Sequence, residues 1–164
     1  MALTLYAVGE NGMSPDLTPE HFMRLALNQA LIARAQGDAP IGAIVVQNGA
    51  VIGRGRNQRE EWNDPTAHAE MLALQDAAEQ IGQWRLDGCD LYCTLEPCIM
   101  CAGGIQQARI ARLYYAASDP KCGGVESLYQ ILEDGRLNHQ TQIFPGVLQD
   151  ECEAVLKDFF AGLR

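Results

Sequence analysis

Two short stretches hold the residue types that bind zinc. Pro65-Thr66-Ala67-His68-Ala69-Glu70 supplies an imidazole, and Glu96-Pro97-Cys98-Ile99-Met100-Cys101 follows about thirty residues later with two thiols. Zinc takes imidazole nitrogen and thiolate sulfur in a tetrahedron, and a structural site usually fills all four corners with protein. Here the candidate set stops at three: His68, Cys98 and Cys101. A catalytic zinc leaves its fourth corner to water and lowers that water's pKa toward neutrality. Glu70 decides between the two. A structural metal has no use for it, whereas a carboxylate beside an acidified water can accept a proton, deliver it to a ring nitrogen and then to a leaving amine. Taken singly, His-x-Glu is usually a turn of surface helix, and Cys-x-x-Cys a redox pair or a core accident. Both together, each opening a predicted helix and with proline before the first cysteine, point to metal-assisted hydrolysis.

The elements that must position these groups can be read in order. Thr18-Pro19 has the form of an N-cap followed by proline. Phe22, Met23, Leu25, Ala26, Leu31 and Ile32 give Glu20 to Gln36 a helical period, which Gly37 ends. Ile41 to Gln47 reads as a strand, Asn48-Gly49 as a two-residue hairpin, and Ala50 onward as the returning strand, running out near Arg56-Asn57. Asp64-Pro65-Thr66 opens a second helix, striped by Met71, Leu72, Leu74, Ala77 and Ile81 and closed by Gly82. That places His68 and Glu70 in its first turn, where backbone N–H groups are unpaired and the helix dipole is positive. Asp90 to Thr94 is a strand, and a third helix starts at Pro97 or Cys98 and runs to about Gln107. Ala111 to Ala116 is a strand, and Ser118 to Gly124 a polar loop. Ser127 to Glu133 is a short helix, Thr141 to Phe144 a last strand, and Gln149 to Phe160 a final amphipathic helix. Strands alternating with helices predict an α/β protein: a three-layer α/β/α sandwich on a mixed sheet of about five strands.

With 164 residues, the chain suits one domain over 18–164, preceded by a flexible Gly-, Asn- and Pro-containing arm over 1–17. No apolar run reaches the roughly 20 residues of a membrane helix, and the N-terminal stretch lacks the basic and apolar regions of a secretion signal. The six cysteines are therefore expected as reduced cytoplasmic thiols, with Cys89, Cys93, Cys122 and Cys152 core or neutral residues. The net charge of −9 argues against a general nucleic-acid binder. The one tight basic cluster, Arg54, Arg56 and Arg59, is followed at once by Glu60, Glu61 and Asp64 and reads equally as a solvated loop.

His68-Ala69-Glu70 with Pro97-Cys98-x-x-Cys101 resembles the signature of the zinc nucleobase deaminases, the cytidine deaminase-like superfamily. The likeness extends through Asp64 to Glu70, Thr94 to Ala102, Asp119-Pro120-Lys121, Leu137-Asn138-His139 and Glu151 to Phe160, all similar to the bacterial tRNA-specific adenosine deaminase family. It covers roughly residues 20 to 160. The resemblance implies a cytidine deaminase-like fold, one zinc per subunit on His68, Cys98 and Cys101, and Glu70 as the catalytic proton carrier. It also implies base or ribose contacts from Asn57 and from the backbone of Ala69. Asp119, Lys121, Asn138 and His139 would line the path of the flanking nucleotides. Members of the family work as homodimers whose partner helps wall the pocket, and convert the wobble adenosine of a tRNA anticodon stem-loop to inosine.

Departures from the family share a direction. Ser118 and Gln140 stand where arginine is common, Glu60-Glu61 brings acid near the entrance, the C-terminus is less basic, and Cys122 and Glu126 are unusual for the pocket-side loop. Two alternatives follow. One keeps the mechanism but takes a small-molecule substrate: a free base, nucleoside or nucleotide of guanine, adenine or cytosine type. The other is a zinc-stabilised interaction module without catalysis, against which the intact Glu70 speaks. Glu70→Ala is expected to retain about one zinc per chain by metal analysis while turnover falls at least roughly 100-fold. Undiminished function in that variant would favour the module.

Overall fold

Residues 17–163 are described by a computed structural model. Their elements run α1 (Pro19–Ala35), β1 (Gly42–Gln47), β2 (Ala50–Arg56), α2 (Arg59–Trp62), α3 (Ala69–Ile81), β3 (Asp90–Leu95) and α4 (Ile99–Ala108). There follow β4 (Arg112–Ala117), a 3-10 turn (Ile131–Glu133), β5 (Gln142–Pro145) and α5 (Gln149–Ala161). The five strands form one sheet in the order β2-β1-β3-β4-β5. β1 pairs antiparallel with β2 and β3, while β3–β4 and β4–β5 are parallel, so the sheet is mixed as expected.

Alternation along buried strands divides the core in two. Ala43 and Val45 of β1 join Leu91, Cys93, Leu113 and Tyr115 under α3 and α4. Ile44 and Val46 face the other way, with Tyr92 and Ala116, against Phe22, Met23 and Ala26 of α1 and Cys152 of α5. This is the three-layer sandwich. Local chemistry sets several boundaries. Thr18 Oγ1 accepts from the His21 amide at 3.2 Å with proline at the first helical position. Asn48 and Gly49, at φ 50° and 77°, make the hairpin turn whose twist matches its strands.

Two predicted segments differ, and one short helix is new. The second helix starts at Ala69, with His68 as its N-cap rather than in its first turn. The Asp64 carboxylate takes the Thr66 amide at 2.8 Å and the Thr66 hydroxyl at 2.7 Å, and this turn competes with helix through Pro65 to Ala67. The helix expected over Ser127 to Glu133 shrinks to the 3-10 turn, because the Ile131 amide, which an α-helix would pair with the Ser127 carbonyl, donates instead to the Gly124 carbonyl at 3.2 Å. An unforeseen short helix, α2, forms where Asp38 accepts from the amides of Glu60 and Glu61 at 3.0 and 3.2 Å. That cap comes from far upstream, so no local pattern announces it. Of the arm expected over 1–17, residues 1–16 lie outside the described residues; Leu17 packs against the α1 side of the core. Among the described residues no helix is long and apolar enough to cross a membrane.

β2 meets α3 at two glycines. A Cβ on Gly55 would run into the Ala69 carbonyl and lie 2.5 Å from the Ala73 amide nitrogen. Gly55→Ala is therefore expected to destabilise the fold by roughly 1–3 kcal/mol through overpacking, measurable by urea unfolding.

Candidate active site

The first turns of α3 and α4 carry the chemistry. His68 and Cys98 are both N-cap residues in extended conformation, and each carbonyl accepts the first helical bond, from Leu72 at 3.1 Å and from Ala102 at 2.8 Å. Cys101 lies one turn into α4, so the two sulfurs share a face. His68 Nδ1 stands 3.6 Å from Cys98 Sγ and 3.5 Å from Cys101 Sγ. The Zn–N and Zn–S bond lengths of a tetrahedral site require a nitrogen–sulfur separation of roughly 3.6 Å. The donors thus already have the spacing of three corners around one zinc, and all lie within 4.8 Å of one another. Glu70 is 4% exposed, with Oε2 3.6 Å from Cys101 Sγ.

These groups open onto a cavity of about 590 Å³ that Asn57, Ala69, Asp119 and Lys121 also line. Its size is ordinary for a site holding one small organic group. Over residues 17–117 the chain matches the cytidine and deoxycytidylate deaminase zinc-binding region. The chain belongs to this deaminase family.

Two relatives are called tRNA-specific adenosine deaminases. One, from Streptococcus pyogenes serotype M1, is 46% identical over 140 residues, 85% of this chain and 82% of the relative. The other, from Agrobacterium fabrum (strain C58 / ATCC 33970), is 47% identical over 144 residues, 88% and 95% of the two chains. A solved structure from work on A-to-I editing by tRNA:A34 deaminases at the wobble position of transfer RNA superposes with TM-score 0.80 at 47% identity. It spans 83% of this chain and 99% of its own. The deaminase thus has the cytidine deaminase fold and is a zinc-dependent hydrolytic enzyme, and its His68, Cys98 and Cys101 are placed where they could hold a metal ion.

Burial and charge prepare the donors. Hydrogen bonding with Cys101 pulls the Cys98 thiol down to about 4 against the effect of burial, with His68 adding to it. The bond to Cys98 in turn raises the His68 imidazole, which burial opposes. Burial pushes Glu70 up to about 7, the range of a group that both takes and gives a proton near neutrality. Cys93, packed beneath the site, is held neutral by burial.

Of the six residues expected to meet substrate, Asn57, Ala69, Asp119 and Lys121 come together here. Asn138 and His139 do not line the cavity. Asn138 Oδ1 accepts from Gln106 at 3.3 Å, and His139 Nε2 donates to the Ile110 carbonyl at 2.7 Å. Both contacts lie before β4 begins, whereas Asp119 follows β4's end, so a strand length of roughly 20 Å separates them. The basic cluster also divides. Arg59 lines the cavity; Arg56 Nε bonds Gln36 at 2.8 Å and the Arg54 amide bonds Asp76 at 2.9 Å, both outside it.

Sequence reasoning missed Leu156 and Phe160 of α5, which form part of the cavity wall. Their spacing of four is also that of a core stripe, so no sequence signal separates the two uses. All six cysteines are free; Cys89, Cys93 and Cys152 are buried as expected, and Cys122 is exposed on the cavity rim. After zinc is removed with a chelator, iodoacetamide is expected to label Cys98 well ahead of Cys93. A thiol that ionises at about 4 remains thiolate from about pH 6 to pH 8, so its labelling should change little across that range. Restored zinc should protect Cys98 and leave Cys122 reactive, as peptide mass spectrometry would show.

Proposed function

We propose that this deaminase converts adenosine to inosine at the wobble position of a tRNA anticodon, with a single catalytic domain over 18–164. The observation that carries the reading is Glu70: a buried carboxylate beside three metal donors at the floor of a cavity sized for one base. An anticodon loop can present an unstacked base to such a pocket while the rest of the RNA stays outside. Arg59 and Lys121 line the cavity, and neither forms an ion pair among the described residues, which suits phosphates flanking the base.

When bound by His68, Cys98 and Cys101, zinc supplies an acidified water and charge stabilisation. Glu70, buried beside the three donors, would take a proton from the attacking water and hand it to N1 of adenine. It would then carry the water's second proton to the exocyclic amine, which leaves C6 as ammonia, with inosine as the other product. Asn57, whose Oδ1 is held by the Arg59 amide at 3.3 Å, orients the base or its ribose; Ala69 contacts the ring through its backbone, and Asp119 and Lys121 border the flanking nucleotides. Asn138 and His139, distant from this cavity, take no part in this reading.

The enzyme is proposed to act in the cytoplasm as a homodimer. Exposed Ile99, Leu128 and Tyr129 support the dimer, because they gather around one point: a Cβ on Gly124 would touch Ile99, and both Leu128 and Tyr129 donate to the Gly123 carbonyl. The net charge of −9 favours a second reading, deamination of a free base or nucleoside. A substrate panel separates the two. The expected result is ammonia release and inosine formation on an A34 anticodon stem-loop, not on free adenine, guanine, cytosine or their nucleosides. Arg59→Ala and Lys121→Ala should each reduce the slope of log affinity against log salt by roughly 1.

A further inference from the structure

One buried carboxylate is not used in the chemistry above. Glu96 begins the link from β3 to α4 and is 1% exposed. Its two oxygens accept five hydrogen bonds, all from the loop that follows β4. Oε2 takes the Asp119 amide at 2.9 Å and the Ser127 hydroxyl at 2.5 Å. Oε1 takes the amides of Val125 at 3.3 Å and of Glu126 and Ser127 at 2.8 Å each. The backbones are stitched on either side of it. The Glu96 amide donates to Ala117 at 2.7 Å, and the Gly124 amide donates to Pro97 at 2.8 Å. A Cβ on Gly123 would strike the Glu96 carboxyl group, and one on Gly124 would come within 2.9 Å of the Cys98 carbonyl carbon. The loop therefore lies flat on the turn that carries the first metal thiolate. The same loop brings Asp119, Lys121 and Cys122 to the cavity. Asp119 has little freedom of its own, since its Oδ1 is held by the amides of Lys121 at 3.1 Å and Cys122 at 3.3 Å.

We propose that Glu96 is a positioning residue for substrate: its carboxylate fixes the loop over 119–127 on the metal-ligand turn and so holds the substrate-side wall of the cavity in register with Glu70. The proposal rests on the deaminase reading for its kinetic consequence and on geometry alone for the loop. An ionised carboxylate is the side chain of this length that accepts at both ends. A glutamine has one accepting end. Turned either way, its NH2 faces backbone donors, the Asp119 amide on one side or those of Val125, Glu126 and Ser127 on the other. An N–H left facing a donor in a buried site costs more than the bond it lost.

Glu96→Gln tests this. The variant should keep about one zinc per chain, while KM for the anticodon stem-loop rises roughly tenfold or more and kcat falls less than about threefold. Amide exchange across 119–127 should speed up, with α3 and β3 unchanged. Ser127→Ala, which removes one donor from the loop side, should shift KM and exchange in the same direction by less, and combining the two should add little to Glu96→Gln alone. Unchanged KM and unchanged exchange in Glu96→Gln would overturn the proposal. So would loss of zinc with the loop still protected, which would make Glu96 a support of the metal turn only. If Glu96→Gln does not fold, Ser127→Ala decides by the same two readouts. Absence of wild-type turnover on the stem-loop would instead sink the substrate reading, leaving zinc content and exchange to judge the loop.

Discussion

One imidazole nitrogen and two sulfurs meet at one point, and they come from two helices that begin far apart in the chain. Nitrogen and sulfur at 3.5 and 3.6 Å leave little tolerance in where α3 and α4 start. Each start is pinned by contacts that exclude a side chain. The Ala69 carbonyl lies on Gly55, so the first turn of α3 sits directly on β2. The backbone around Cys98 lies against Gly124, and the Glu96 and Pro97 backbones are tied to the end of β4 and its loop. The two capping positions are extended, which lets each strand-to-helix passage turn at the ligand itself.

Two buried glutamates show how surroundings divide one residue type into two roles. Glu70 has burial and few donors, and its carboxyl is pushed up to about 7. Burial pushes Glu96 the same way, but the hydrogen bonds from Ser127, Asp119 and Glu126 outweigh it and hold the group below its ordinary value. The first can exchange a proton with a neighbour; the second stays charged and serves as an anchor. The difference is the count of N–H and O–H groups aimed at each carboxylate.

An acidic protein can still present unpaired cations at one cavity. Several carboxylates are matched away from the cavity: Glu151 to Arg24, Asp158 to Arg34, and Asp90 to Arg112. These pairs staple α5 to α1 and β3 to β4. Arg59 and Lys121 stand at the cavity outside such pairs, beside Glu70, Glu96 and Asp119, so two cations there are left to meet an anionic group.

The three candidate metal donors, the buried carboxylate beside them, the Asn-Gly hairpin and the order of helices and strands were legible in the chain, because each depends on neighbours a few residues apart: spacing on a helical turn, alternation along a strand, a cap before a proline. What lay beyond reach depended on partners distant in sequence. Asp38 caps α2, and the Gly124 carbonyl takes the Ile131 amide that a helix at Ser127 needed. Leu156 and Phe160 wall the cavity instead of filling the core, and Asn138 and His139 sit at the opposite end of β4 from Asp119. Periodicity records that a residue is apolar or that a strand begins; it carries no information about which end of the sheet a loop faces, and that is settled only when the strands pair and the helices close over them.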